Sequence, residues 1–453
     1  MTDGIDVRTT RGWRGPVKPR TSLELRRIGP LAWAASRLAG AATGSGRVHA
    51  IEAVGLVPGM LPFFGLYFGY VNSLTRLKRA DSELVILRTA WNCGSYYEWY
   101  QHVHTSKLAG LTVAEVERVG AGPDAPGWSD KQRAVLRAVD ELCADRLIGD
   151  DAWAAMREFF DDRQTVALCL LTGNYAMLAM LINSFGLQPE AGMWQAWPLR
   201  ALVGRDEDLT AVLARPAGES DASRSNPVPE WQDSDNVAAI GDRIDLLAAA
   251  PHFRSADPKR IALGTFRDVG PLTWVLSRLG GIGNGGGEVT AADAIGMDPR
   301  MMRHYLPFAL KLVLGSHLSR RDTELATLRL TWNSGVRYEW FYHAHFSRIS
   351  GVSVRTVERV AVGPDAPGWS ARERLLLSAV DELQTDRCLS EDTWSRLRTH
   401  YTERKLAALC LLVGHYDMIG MLFRSFGVEP EPGALQSGLG HWAIAKAAQL
   451  WGI

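Results

Sequence analysis

Shifted by 241 residues, the chain overlays itself without a gap from about 27 to 190, and no other feature constrains its folding as much. Gly29-Pro30-Leu31 meets Gly270-Pro271-Leu272, and Ser36-Arg37-Leu38 meets Ser277-Arg278-Leu279. The octapeptide Gly122-Pro123-Asp124-Ala125-Pro126-Gly127-Trp128-Ser129 recurs unchanged from Gly363 to Ser370, and Cys169 matches Cys410. Between 81–110 and 322–351, 15 of 30 positions are identical, which only a duplication produces. The period far exceeds that of a solenoid, so each copy is expected to be a domain with its own core. The expected division is a first domain over 23–190, a linker over 191–258, a second domain over 259–431 and a tail over 432–453. Within the linker, 217–227 is small, polar and proline-ended, as a flexible connector is. The tail has enough Ala, Leu and Trp to dock as one more helix.

With 453 residues the chain is too long for one ordinary core. Lysine plus arginine equals aspartate plus glutamate at 50 each, so no net field draws it to nucleic acid or to an anionic membrane. The first 22 residues lack the apolar run of a signal peptide. The most apolar runs, 166–183 and 406–423, hold Asn174 and Tyr175, and His415 and Asp417, so they are expected to be core helices and not membrane spans. Five cysteines without a C-x-x-C pair fit reduced thiols in the cytoplasm.

Each copy carries helix signals. Ser82 and Thr323 are expected to cap a long helix that runs to Gly110 and Gly351. The proline-rich octapeptide forms a loop whose serine caps the helix through AVDEL, with its prolines removing the N–H groups a phosphate loop needs. Asp150 and Ser390 precede a further helix bearing Trp153 and Trp394. Trp33, Trp128 and Trp153 are expected in the core. No run alternates apolar and polar residues, so the fold class is all-α.

On the long helix, Trp91, Ser95, Glu98, His102 and Ser106 fall on one stripe at about 100° per residue. Glu98 and His102 form an i,i+4 pair, repeated as Glu339 and His343. The bland alternative, an exposed surface pair, is worth only tenths of a kcal/mol (~0.2–0.5). Flanking tryptophans and the recurrence of the pair in both copies favour a functional pocket. Glu83 and Glu324 sit where the helix dipole alone favours an acid. Arg88 and Arg329 are expected to pair with Asp140 and Asp381, and His104 and His345 to be packing histidines.

Tyr-Glu-Trp-x-x-His after Glu-Leu-x-x-Leu-Arg, followed by the octapeptide and AVDEL, resembles the carboxymuconolactone decarboxylase family over about seven tenths of the chain. The resemblance implies two tandem helical domains of the alkyl hydroperoxidase D-like fold. That branch's Glu-x11-Cys-x2-Cys-x3-His signature falls on Glu83, Ser95, Glu98 and His102, and on Glu324, Val336, Glu339 and His343. Both redox cysteines are missing from both copies, and Cys93, two residues early, becomes Ser334. Thiol peroxidase chemistry needs that thiolate and its resolving partner, so it is rejected.

What remains is a carboxylate–imidazole–carboxylate set suited to moving protons. The expected reaction, without a cofactor or metal, is decarboxylation or isomerisation of a small carbonyl or lactone acid. His102 and His343 would exchange the proton, with Glu98 and Glu339 as partner acids. Glu83 and Glu324 would orient the histidines from the same helix's first turns. Trp91, Ser95, Tyr97 and Trp99, with Trp332, Tyr338 and Trp340, would wall an apolar substrate pocket that raises a carboxyl pKa. The alternatives are a metal-dependent lyase and a non-catalytic ligand carrier or scaffold. The resemblance further implies a homo-oligomer, with three chains forming a six-domain ring.

Overall fold

The computed structural model describes residues 13–14, 19–73, 76–197, 199–203, 209, 252–253, 255–256, 260, 265–315 and 317–451. All their regular structure is helical, without a strand among them. The first copy holds α1 (Leu25–Ile28), α2 (Pro30–Thr43), α3 (His49–Gly55), α4 (Leu61–Ser73), α5 (Arg79–Asn92) and α6 (Tyr96–Leu108). It continues with α7 (Val113–Ala121), α8 (Asp130–Asp145), α9 (Asp150–Arg157), α10 (Asp162–Phe185) and α11 (Leu199–Val203). The second holds α12 (Phe266–Asn284), α13 (Thr290–Gly296), α14 (Pro299–Gly315), α15 (Arg320–Ser334) and α16 (Arg337–Phe346). After a 3-10 turn over Ser347–Ser350 come α17 (Val354–Val362), α18 (Ala371–Asp386), α19 (Glu391–Leu397), α20 (Glu403–Phe426) and α21 (Gly438–Trp451). Both α7 and α17, α8 and α18, and α10 and α20 have their two ends 241 residues apart.

Local chemistry accounts for many of these boundaries. Ser129 caps α8 in a reciprocal box with Gln132, and Ser370 does the same for α18 with Glu373, as the octapeptide predicts. Inside that loop, Trp128 Nε1 donates to the Gly122 carbonyl and Trp369 Nε1 to that of Gly363, both at 2.9 Å. The expected long helix, however, is two. α5 starts at Arg79 after Lys78, and α15 at Arg320 after Ser319, so Ser82 and Thr323 lie inside the first turn and cap nothing. Each long segment then breaks at Gly94 (φ 59) and Gly335 (φ 63). That left-handed step is cheap only without a Cβ, and it turns α6 and α16 back across α5 and α15. Ser95 therefore precedes α6 and does not continue a stripe from Trp91.

The two copies do not keep separate cores. Their buried side chains form one contiguous cluster, because α10 and α20 lie against each other along their length. Both are long and apolar enough to cross a membrane by length and composition, and the apolar stretch of each is wholly buried within the protein. They approach so closely that a Cβ on Gly173 would stand 2.5 Å from Met418 Cα, and one on Gly414 2.5 Å from Met177 Cα. Across this junction Ser184 Oγ accepts from Leu389 N, and Ser425 Oγ from Ile148 N, at 3.0 Å each. Arg20 reaches the second copy, donating to the Leu389 carbonyl (2.9 Å) and lying 5.0 Å from the Trp394 ring. Arg260 returns the contact, binding the Ile148 carbonyl and Asp150 and lying 4.6 Å from the Trp153 ring.

The backbone equivalence also runs past 190 and 431. Trp194 (φ 65) and Leu435 (φ 62) are both left-handed, and their N–H groups bind Thr43 (2.9 Å) and Asn284 (2.6 Å). Side chains have diverged there while the anchor has stayed. The tail does form a helix, α21, packed on α12. Residues 217–227 lie outside the described residues. One core expectation fails: Trp33 is 39% exposed on the outer face of α2, beside Arg37.

Candidate active site: two unequal acid–imidazole clusters

Because α6 folds back on α5, Glu83 and His102 meet although they lie on different helices, which corrects the expectation that one helix carries both. His102 Nδ1 lies 2.7 Å from Glu83 Oε2 in the first copy, and His343 Nδ1 lies 2.8 Å from Glu324 Oε2 in the second. The other oxygen of each glutamate is paired one turn back, Arg79 with Glu83 at 2.6 Å and Arg320 with Glu324 at 3.0 Å. Burial alone would raise Glu83, but the His102 ring and Arg79 outweigh it and hold the carboxyl below the usual range. Glu83 is thus a carboxylate that only accepts. Arg88–Asp140 and Arg329–Asp381 form the expected structural pairs at the far side of these helices (2.8 and 3.0 Å). His104 Nδ1 sits 2.8 Å from the Tyr100 carbonyl, in a packing role.

Beyond the shared pair the copies differ. In the first, His102 Nε2 lies 3.0 Å from the Tyr175 hydroxyl, and that hydroxyl lies 2.6 Å from Asn72 Oδ1. Asn72 Nδ2 donates to the Phe68 carbonyl at 2.9 Å, which fixes which end of the amide faces Tyr175. Glu98 makes no hydrogen bond to His102. It is 3% exposed, and neither carboxyl oxygen makes a hydrogen bond of sound geometry among the described residues. Burial drives its carboxyl well above the usual range, against a smaller downward pull from the Ser95 hydroxyl.

In the second copy, His343 Nε2 faces Glu339 Oε2 at 3.6 Å. Burial raises Glu339 to about 7, and the His343 charge opposes that rise. Burial would lower His343, but Glu324 and then Glu339 outweigh it and the imidazole is raised. The Tyr416 ring stands edge-on to His343 at 5.1 Å. Two further groups flank the cluster. The Tyr305 hydroxyl lies 2.8 Å from His415 Nε2, and burial with the nearby His343 charge pushes His415 down to about 3. The first copy has Phe64 and Asn174 at these positions.

The expected aromatic walls point elsewhere. Trp91 and Trp99 pack together at 5.2 Å under Trp13, and Trp332 and Trp340 at 4.8 Å under Phe253. Tyr97 and Tyr338 lie on another face, donating to Glu190 (2.9 Å) and Glu431 (3.1 Å). A cavity of about 240 Å³ opens on this second face, lined by Arg337, Phe341, Glu429 and Glu431 among others, away from Glu324. Consecutive helical residues diverge by 100°, so neighbours of Glu98 in sequence are not its neighbours in space. The sequence reading missed Tyr175, Tyr416, Asn72, Arg79 and Arg320. Two signals were present: the tyrosine recurs at the 241-residue offset inside an apolar helix, and each arginine stands four residues before a site glutamate.

Among the described residues no group of three or more His, Cys, Asp or Glu is arranged to hold a metal ion, and all five cysteines are free. No protein-family model matches this chain, and no curated protein is similar enough to be matched.

Proposed function

We propose that the protein is a cofactor-independent acid/base enzyme of the carboxymuconolactone decarboxylase type, built from two tandem alkyl hydroperoxidase D-like units. Its substrate class is a small carbonyl or lactone acid, and its reaction is decarboxylation or isomerisation through an enolate. One observation carries the reading: a carboxyl raised to about 7 faces the Nε2 of an imidazole whose other nitrogen is held by a buried carboxylate at 2.8 Å. A carboxyl acid poised near neutrality, beside an oriented imidazole, is what carbon protonation requires.

In the decarboxylation, the C–C bond to the carboxylate breaks and its electron pair enters the enolate as CO₂ leaves. His343 or Glu339 then delivers a proton to the carbanionic carbon, and the proton is recovered from solvent. Glu324 holds Nδ1 and so presents Nε2 to the reacting carbon. Glu83 and His102 repeat this orienting contact in the first copy, with Glu98 as the neighbouring protonated acid.

The test is a double replacement, H102Q with H343Q, assayed for CO₂ release across β-keto acids and carboxylated unsaturated lactones. Loss of turnover at least 100-fold with an unchanged helical circular dichroism spectrum is expected, in line with general acid–base contributions of ~10²–10⁴-fold. Undiminished turnover of an accepted substrate would refute the reading, and saturable binding without turnover by the wild type would identify a carrier.

A further inference from the structure

The hydrogen-bond directions in the first copy leave little freedom. Glu83 is a carboxylate, so the hydrogen between it and His102 belongs to Nδ1. Burial and the Glu83 and Glu98 carboxyls push the Tyr175 phenol well above its ordinary range, so it keeps its single hydrogen. Asn72 Oδ1, oriented by its own amide's bond to the Phe68 carbonyl, takes that hydrogen at 2.6 Å. The Tyr175 oxygen is then an acceptor toward His102 Nε2 at 3.0 Å. Both ring nitrogens therefore donate, to partners that cannot leave without stranding a buried polar group.

The second copy breaks this chain at two points. Val313 stands where Asn72 would be, and Thr327 replaces Ile86 near the tyrosine, its buried hydroxyl making no hydrogen bond of sound geometry among the described residues. No amide fixes Tyr416, and His343 Nε2 faces the Glu339 carboxyl. Tyr305 and His415 add two polar side chains where the first copy places Phe64 and Asn174.

Resting on the acid/base reading above, we infer that the two copies have divided their roles: the Glu324–His343–Glu339 cluster transfers the proton, while the Asn72–Tyr175–His102–Glu83 chain locks the first imidazole as a positioned ion pair. Asn72 and its counterpart Val313 decide which state a copy adopts. The first cluster holds α4, α5, α6 and α10 together, and the second exchanges a proton with substrate.

The division is read in the full chain by long-range ¹H–¹⁵N correlation of ¹⁵N-histidine-labelled protein, with H102Q and H343Q used to assign the two rings. His102 is expected to show two N–H-type nitrogens. His343 is expected to pass from two N–H-type nitrogens to unequal ones as pH rises, at a pH that moves when Glu339 is replaced by Gln, while His102 keeps both. The Y175F variant, and independently N72V, should shift the His102 Nε2 signal, so that one variant's failure to fold leaves the other. Building the lock into the second copy with V313N and T327I should give His343 the His102 pattern and lower kcat at least tenfold. A His102 ring with one bare nitrogen in the wild type overturns the division. So does a V313N/T327I protein in which His343 holds the two-donor pattern as pH rises yet turns over at the wild-type rate. Neither result touches the double-histidine test, which alone decides whether the protein is an acid/base enzyme.

Discussion

The chemistry of Glu339 is set by its surroundings. Its side chain is 12% exposed, burial raises it to about 7, and the His343 charge only partly opposes that. An acid whose folded pKa lies above its unfolded value of 4.5 stabilises the fold fully below about pH 4.5, and loses that contribution as pH rises through about 7. His343 is raised as well, so its contribution fades in the same direction. For Glu339 the shift corresponds to at most about 3 kcal/mol. E339Q should flatten the dependence of unfolding free energy on pH between 5 and 8, measured by urea denaturation at several pH values. It should also remove the limb near pH 7 from the kcat profile. Retention of both the slope and the limb would clear Glu339 of any part in proton transfer.

At the scale of elements, the junction of α10 and α20 depends on one buried carboxylate. Asp417 on α20 binds Arg146 at 3.0 Å and Arg387 at 2.6 Å, equivalent residues that end α8 and α18 in left-handed conformation. Burial would raise Asp417, but the two arginines outweigh it and lower its carboxyl. The arginines cross over as well: Arg146 donates to the Gln384 carbonyl at 2.9 Å and Arg387 to that of Cys143 at 3.4 Å. The equivalent position on α10 is Ala176, so one charge serves both copies. D417N would leave two buried guanidinium groups without their counter-charge, a loss of about 3–5 kcal/mol. A chemical-denaturation midpoint shifted by less than 1 kcal/mol equivalent would show that the arginines are satisfied by carbonyls alone.

Across the whole molecule, the outer helices repeat an exposed apolar face. On α12, Leu272, Val275, Leu276, Leu279 and Ile282 all lie toward solvent, Ile282 at 69% exposure, and Leu31 and Leu38 recur at the same positions on α2. Contiguous exposed apolar side chains of this kind are costly in water. Self-association is therefore proposed, with three chains as the expected assembly. Light scattering of the wild type should give a multiple of the chain mass, and L279E with I282E should reduce it. A single-chain mass for the wild type at micromolar concentration would remove this proposal.

The sequence by itself determined the all-helical class, the 241-residue repeat, the Ser129 and Ser370 caps and the candidate residues Glu83, Glu98, His102, Glu324, Glu339 and His343. These are written in periodicity, turn chemistry and self-similarity, all local or directly comparable along the chain. Tertiary structure alone decided that α5 and α6 are separate helices meeting at Glu83 and His102, since one left-handed glycine redirects every side chain beyond it. It also decided that the tryptophans pack away from the acids, that the two copies share one core, and that Asn72 meets the Tyr175 hydroxyl in one copy while His343 faces Glu339 in the other. Those outcomes depend on which faces of distant helices meet, and a pattern of residues along one helix carries no record of the helix packed against it.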